Sequence, residues 1–226
     1  RRIDGQPGTG RNRLYRHQGG GSLVEDQSTD IFTDGPFSSR AVEAADLDGD
    51  GLTDVVIGNA DQGNPTNAVY RNDGAGEYVR DLTTAFPQLP NHTYGLAVGD
   101  LDADGDLDLV SARRQTASVG ASNGVFRNVS VAGNIDFTLV TGTAFDLDTD
   151  PSYDVVVGDL DEDGDLDLAV ANNLTANAVY MSNRVDAGIA AGALFDAPAA
   201  AFTKVIHGAI QSDRGRTRSL AVADVE

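Results

Sequence analysis

Short apolar runs rich in Val, Ala and Gly recur along the chain, separated by clusters of Gly, Asp and Asn. Runs this short, and this often broken by Gly, predict β-strands joined by tight turns rather than long helices. In chain order they fall into sets of four. A small, apolar first strand, as in "GLAVGD" (95–100), leads into an aspartate-rich loop. A second strand follows: "DVVIGN" (54–59), "DLVSA" (108–112) or "DLAVAN" (167–172). The third carries an aromatic residue: Tyr15 in "RLYRHQGGG", Tyr70 in "AVYRNDGAG", Phe126 in "GVFRNVSVAG" and Tyr180 in "AVYMSN". The fourth is weaker, as in "EYVRD" (77–81) and "IDFTLV" (135–140).

Two markers keep step. The aromatics are spaced 55, 56 and 54 residues apart, and the acidic loops open at Asp46, Asp100 and Asp159, spaced 54 and 59 apart. The terminal "SLAVADVE" matches the lead-in to the second loop and puts Asp224 at the head of a fourth copy. The expected units are residues 1–36 (third and fourth strands only), 37–90, 91–145, 146–210 and 211–226. Four-stranded units repeating at this length predict an all-β fold, a β-propeller with about three complete blades and partial blades at both ends. A β-sandwich would use the same strands but would not require two markers at one period. Gly and Ala in the first strands suit the crowded centre of a propeller.

The loops read D-x-D-x-D-G-x-x-D. Oxygens at alternate positions of a tight turn make a cage for a hard cation, and calcium takes 6–8 of them. Side chains at positions 1, 3, 5 and 9 converge, position 7 offers a backbone carbonyl, and Gly at position 6 permits the reversal. The first loop supplies Asp46, Asp48, Asp50 and Asp54 with the carbonyl of Leu52. The second supplies Asp100, Asp102, Asp104 and Asp108 with Asp106, and the third Asp159, Asp161, Asp163 and Asp167 with Asp165. An EF-hand needs Glu at position 12; here that position is Ile57, Ser111 and Val170. Magnesium keeps its waters and fits less well. About three Ca2+ ions are therefore expected.

Composition agrees. Of 226 residues, 35 are acidic and 16 basic, a net charge of −19. Such a chain repels nucleic acid and anionic lipid and attracts cations. Three dications would bring the charge to about −13 and relieve self-repulsion. No Cys is present, so disulfides, zinc thiolates and thiol nucleophiles are excluded. No apolar run approaches the roughly 20 residues of a membrane helix. The start, "RRIDGQPGTGRNRLYR", has neither an initiator Met nor an apolar signal core, which suggests a mature or partial product.

These loops resemble the FG-GAP and VCBS repeat family, whose best-known relatives form the calcium-bearing propeller of integrin α subunits. The resemblance covers nearly the whole chain. It implies blades of four strands with calcium between the first and second, usually seven to a ring. It also implies that this chain is a fragment of a larger propeller, although a small ring closed by its two ends is an alternative.

The expected function is a calcium-binding, extracellular (cell-surface, secreted or periplasmic) adhesion module that binds a protein or glycan on the face opposite the calcium loops. Two alternatives are a structural or docking subunit of a surface assembly and the non-catalytic part of a secreted lyase or hydrolase. His17, His92 and His207 sit in no nucleophile or metal motif, and no catalytic residues are assigned. Arg113, Arg114, His92, Tyr94, Arg214 and Arg216 are candidates for the ligand face, each read more readily as an ordinary exposed loop residue. "NRVDAGIAAGALFDAPAAAF" (183–202), on the calcium side, is either a flexible loop or a contact surface. Sequons begin at Asn91, Asn128 and Asn173.

Overall fold

The structure is a computed structural model that describes residues 12–25, 38–60, 67–75, 77–81, 92–114, 120–185, 187–205 and 217–221. A two-stranded antiparallel sheet comes first, β1 (Tyr15–His17) with β2 (Leu23–Glu25). Three four-stranded antiparallel sheets follow, each a meander in chain order. The first holds β3 (Ser39–Ala45), β4 (Asp54–Asn59), β5 (Ala68–Asn72) and β6 (Tyr78–Arg80). The second holds β7 (His92–Gly99), β8 (Asp108–Arg114), β9 (Gly124–Asn128) and β10 (Phe137–Val140). The third holds β11 (Ser152–Gly158), β12 (Asp167–Asn172), β13 (Ala178–Ser182) and β14 (Phe202–Val205). The only helical pieces described are two 3-10 turns, Leu194–Asp196 and Pro198–Ala200.

The sheets pack through their first strands, β3 against β7 and β7 against β11. This approach is very close. A Cβ on Gly95 would stand 2.7 Å from Asp154 Cα, and one on Gly99 would stand 2.8 Å from Val157 Cγ1. The sequence places glycine where one backbone lies on the next.

Successive residues of the inner strands feed different cores. On β4, Val55 and Ile57 pack toward the N-terminal side with Leu14, while Val56 joins Leu96, Leu109 and Phe126 of the second sheet. On β8, Leu109 points to the first sheet and Val110 to the third. Both faces are covered, as the apolar second strands predict. The aromatic marker of each complete repeat faces the sheet before it: Tyr70, Phe126 and Tyr180 are all buried. Tyr15 is 50 % exposed, and no described element precedes its strand. In return, the Leu at loop position 2 (Leu47, Leu101) reaches into the sheet that follows.

Each first strand carries a β-bulge at one place, between Ser39 and Ala41, Thr93 and Gly95, and Ser152 and Asp154. Two expectations about loops change. β8 continues through Arg114, so Arg113 and Arg114 belong to a strand, and His92 and Tyr94 lie in β7. The Gly/Ala-rich 183–202 segment is a contact surface turned inward: Leu194, Phe195 and Ala201 are buried in the core between the second and third sheets. Arg214, Arg216, His207, Asn91 and Asp224 lie outside the described residues.

Candidate metal centres

The three acidic loops link the first and second strands of the three sheets. Their carboxylates draw the turn in on itself. Asp46 accepts the Gly51 N–H at 2.8 Å, Asp100 that of Gly105 at 3.1 Å, and Asp159 that of Gly164 at 3.1 Å. Asp50, Asp104 and Asp163 each accept the amide two residues on. The position-6 glycines have φ of 87°, 101° and 92°. Position 4 is left-handed as well, which the motif reading missed: Gly49, Ala103 and Glu162 have φ of 71°, 59° and 63°.

Position 9 does more than offer a ligand. Both oxygens of Asp54 are engaged, one by Leu47 N–H at 3.0 Å and the other by Asn72 N–H at 2.8 Å. Asp108 takes Leu101 and Asn128, and Asp167 takes Leu160 and Ser182, in the same way. One buried carboxylate therefore ties the loop's start to the end of the third strand in every repeat.

Among the described residues, three triplets bring one carboxylate oxygen each within 4.8 Å of one another: Asp46, Asp48 and Asp50; Asp100, Asp102 and Asp108; and Asp159, Asp161 and Asp167. Asp54, Asp104 and Asp163 stand outside those triplets. Asp106 is exposed and Leu52 half-buried, while Asp165 is buried and accepts Val185 N–H at 2.9 Å. The donor set is all oxygen, which suits a hard cation. Three buried oxygens, Asp100 Oδ1, Asp102 Oδ2 and Asp165 Oδ1, have no hydrogen-bond partner. Burial raises the pKa of Asp54, Asp102, Asp165 and Asp167, and it pushes Asp108 up to about 8, with Asp102 and Asp104 adding repulsion. These groups are short of positive charge, and the residues present fit a bound dication.

A fourth D-x-D run, Asp146, Asp148 and Asp150, is a useful contrast. Asp146 accepts the Thr143 hydroxyl at 2.6 Å and Gly142 N–H at 3.0 Å. Asp148 accepts hydrogen bonds from Tyr180 and Lys204. Burial pushes Asp148 up, but those two bonds, the Asp150 N–H and the Lys204 charge together hold the carboxyl below its ordinary value. Protein donors already serve this run. The alternating spacing alone could not separate it from the metal-type loops; the missing Gly at position 6 could.

Two loops are completed by the next repeat. Gly133, in the turn between β9 and β10, donates to Asp48 Oδ2 at 2.8 Å. Gly192, in the 183–202 segment, donates to the Asp102 carbonyl at 2.7 Å. Asn128 donates to the carbonyls of both Leu47 and Leu107, at 2.9 Å each. Its amide is thus committed and buried, and Asn173 is 3 % exposed, so neither is placed to accept a glycan.

At the opposite end of the first strands the bulges put three side chains in a row. Arg40, Tyr94 and Tyr153 each stand six residues before the first loop aspartate. The Arg114 guanidinium lies between two of them, 3.9 Å from the Tyr94 ring centre and 4.2 Å from that of Tyr153. Arg40 is 5.7 Å from Tyr94. Arg114 Nε and Nη1 have no hydrogen-bond partner among the described residues. Arg113 is not part of this surface; it is 3 % exposed and donates to the Ser122 carbonyl at 2.6 Å. The shared six-residue offset is readable in the sequence, but the meeting of Arg40 and Tyr153 with Tyr94 and Arg114 depends on sheet packing, which carries no local signal.

The family model for the FG-GAP-like repeat matches residues 5–57 and 46–111. No match was found among curated proteins.

Proposed function

The chain is a member of the FG-GAP-like repeat family, and from that premise we propose that it is a calcium-stabilised, non-catalytic binding module of the extracellular or periplasmic space. The reading rests on three clustered carboxylate triplets, one per four-stranded sheet, and on the buried, unpartnered carboxylate oxygens of the second and third loops. Asp46, Asp48, Asp50 and Asp54 with the Leu52 carbonyl would hold one ion. Asp100, Asp102, Asp104 and Asp108 with Asp106 would hold a second, and Asp159, Asp161, Asp163 and Asp167 with Asp165 a third. A bound dication supplies charge neutralisation and joins the first strand to the second. With extracellular-type affinity it would contribute roughly 1–2 kcal/mol per ion at millimolar calcium.

Recognition belongs to the other edge of the sheets, where Arg40, Tyr94, Arg114 and Tyr153 gather. Aromatic and Arg side chains are the residue types that dominate binding energy at interfaces, and the ligand is a protein or a glycan. The Asp loops act at a distance by holding the first strands that present this row.

A calcium count by mass spectrometry of the native protein, paired with melting in calcium and in chelator, tests the metal reading. About three ions and a lower melting temperature in chelator are expected; no bound calcium and an unchanged melt would defeat it. A glycan and protein array screened with wild type and Arg114→Ala tests the ligand face, and binding that survives the substitution would place recognition elsewhere.

A further inference from the structure

The three loops share a backbone but differ in the side chain that stands beside them. The residue after the aromatic marker is Arg71 in the first repeat, Arg127 in the second and Met181 in the third. Arg71 makes no ion pair with its loop among the described residues, and Met181 carries no charge. Arg127 is different. Its Nε lies 3.2 Å from Oδ2 of the fully buried Asp102, and its Nη2 lies 3.5 Å from Asp104 Oδ2. Nη2 also donates to the Gly192 carbonyl at 2.6 Å, and Nη1 lies 3.8 Å from Asp196. Asp102 Oδ2 has no hydrogen-bond donor.

One guanidinium thus spans two structures: the second Asp loop and the 183–202 segment of the third repeat. It supplies positive charge to the carboxylate that a dication would otherwise neutralise. The two cations repel, and the repulsion is large where an ion pair is buried and poorly screened. Gly192 and Asp196 hold the far end of the same guanidinium.

We infer that Arg127 is a tethered competitor for the cation of the second loop, so the three loops fill unequally and the second fills last. The inference rests on the reading that these loops take calcium. When the second loop fills, Arg127 gives up Asp102 and Asp104 and keeps only Gly192 and Asp196, so occupancy of this loop is transmitted to the 183–202 segment. The third loop touches the same segment through Arg184 Nη2 on the Gly164 carbonyl at 3.2 Å and Val185 N–H on Asp165 at 2.9 Å, but among the described residues no guanidinium is ion-paired to its carboxylates, and none is to those of the first loop.

Calcium titration of the whole chain by isothermal calorimetry, with hydrogen exchange read at 187–201, tests this. Wild type is expected to bind two ions more tightly than the third, and exchange near Gly192 is expected to rise as the weak site fills. Arg127→Met, which installs the third repeat's residue, is expected to tighten that weak site about tenfold and leave the other two unchanged. Arg127→Gln keeps a donor for Gly192 without the charge and should behave as Arg127→Met does, which covers a folding defect in the latter. Arg127→Lys keeps the charge and should stay weak. Three equal sites in wild type, or no change in the uncharged variants, would overturn the inference and leave the calcium reading standing. An absence of calcium binding in every variant would overturn both.

Discussion

At the scale of single residues, the position-9 aspartate carries the clearest consequence. Asp108 is buried, and its two backbone N–H bonds only partly offset the loss of water and the charges of Asp102 and Asp104. Its pKa in the metal-free fold, about 8, lies above the ordinary carboxylate value. A carboxyl raised on folding stabilises the fold at low pH, and that contribution is lost as pH rises through the raised value. In chelator, therefore, the melting temperature should fall between about pH 4 and pH 8, with Asp54, Asp102, Asp165 and Asp167 shifting the same way. Calcium needs the ionised form, so in saturating calcium the slope should flatten or reverse. Parallel slopes in the two buffers would show that the loops are not where the ion acts. The motif made these carboxylates legible because alternation closed by Gly in a tight loop brings their oxygens together. It did not reveal the bracing role of position 9, since the amides of Leu101 and Asn128 reach Asp108 only once the third strand has folded back.

At the scale of strands, the close contact between β7 and β11 sets a strict limit on side-chain size. A Cβ at Gly95 would meet backbone atoms of Asp154 at 2.7 Å and Val155 at 3.0 Å, and backbone cannot swing aside as a side chain can. Gly95→Ala should cost on the order of 1–3 kcal/mol, the usual penalty for overpacking, measurable as a lower urea midpoint at unchanged slope. An unaffected midpoint would mean that the two strands separate easily. Strands of this kind were legible from their apolar runs and small residues. Their extents were less so: β8 reads as ending near Ala112 because Arg113 and Arg114 look like loop residues, yet Arg113 is buried with its guanidinium on the Ser122 carbonyl. Burial pushes that guanidinium down to about 10. A charge inside a strand is invisible to a periodicity argument when the partner is a carbonyl nine residues away.

At the scale of the molecule, the repeats depend on one another. Asp48 in the first loop holds Gly133 in the second repeat, and Asn128 grips the carbonyls of both loops. Asp48→Ala should remove one calcium and also speed amide exchange at 131–134, while residues 152–172 exchange at the wild-type rate. Exchange that changes only within 46–54 would show that the repeats are independent. The period of about 55 residues announced the repeats, but these cross-ties had no sequence signal, because Gly133 and Gly192 sit in turns of different length and composition. The bulges add a property of another kind. Each resets strand pairing five or six residues upstream of the acidic loop, always at the same offset. The unequal 54- and 59-residue spacings therefore arise outside the stretch from bulge to loop, which keeps one length in all three repeats. The outer connections are thereby free to diversify in length and chemistry while the acidic loops stay in phase.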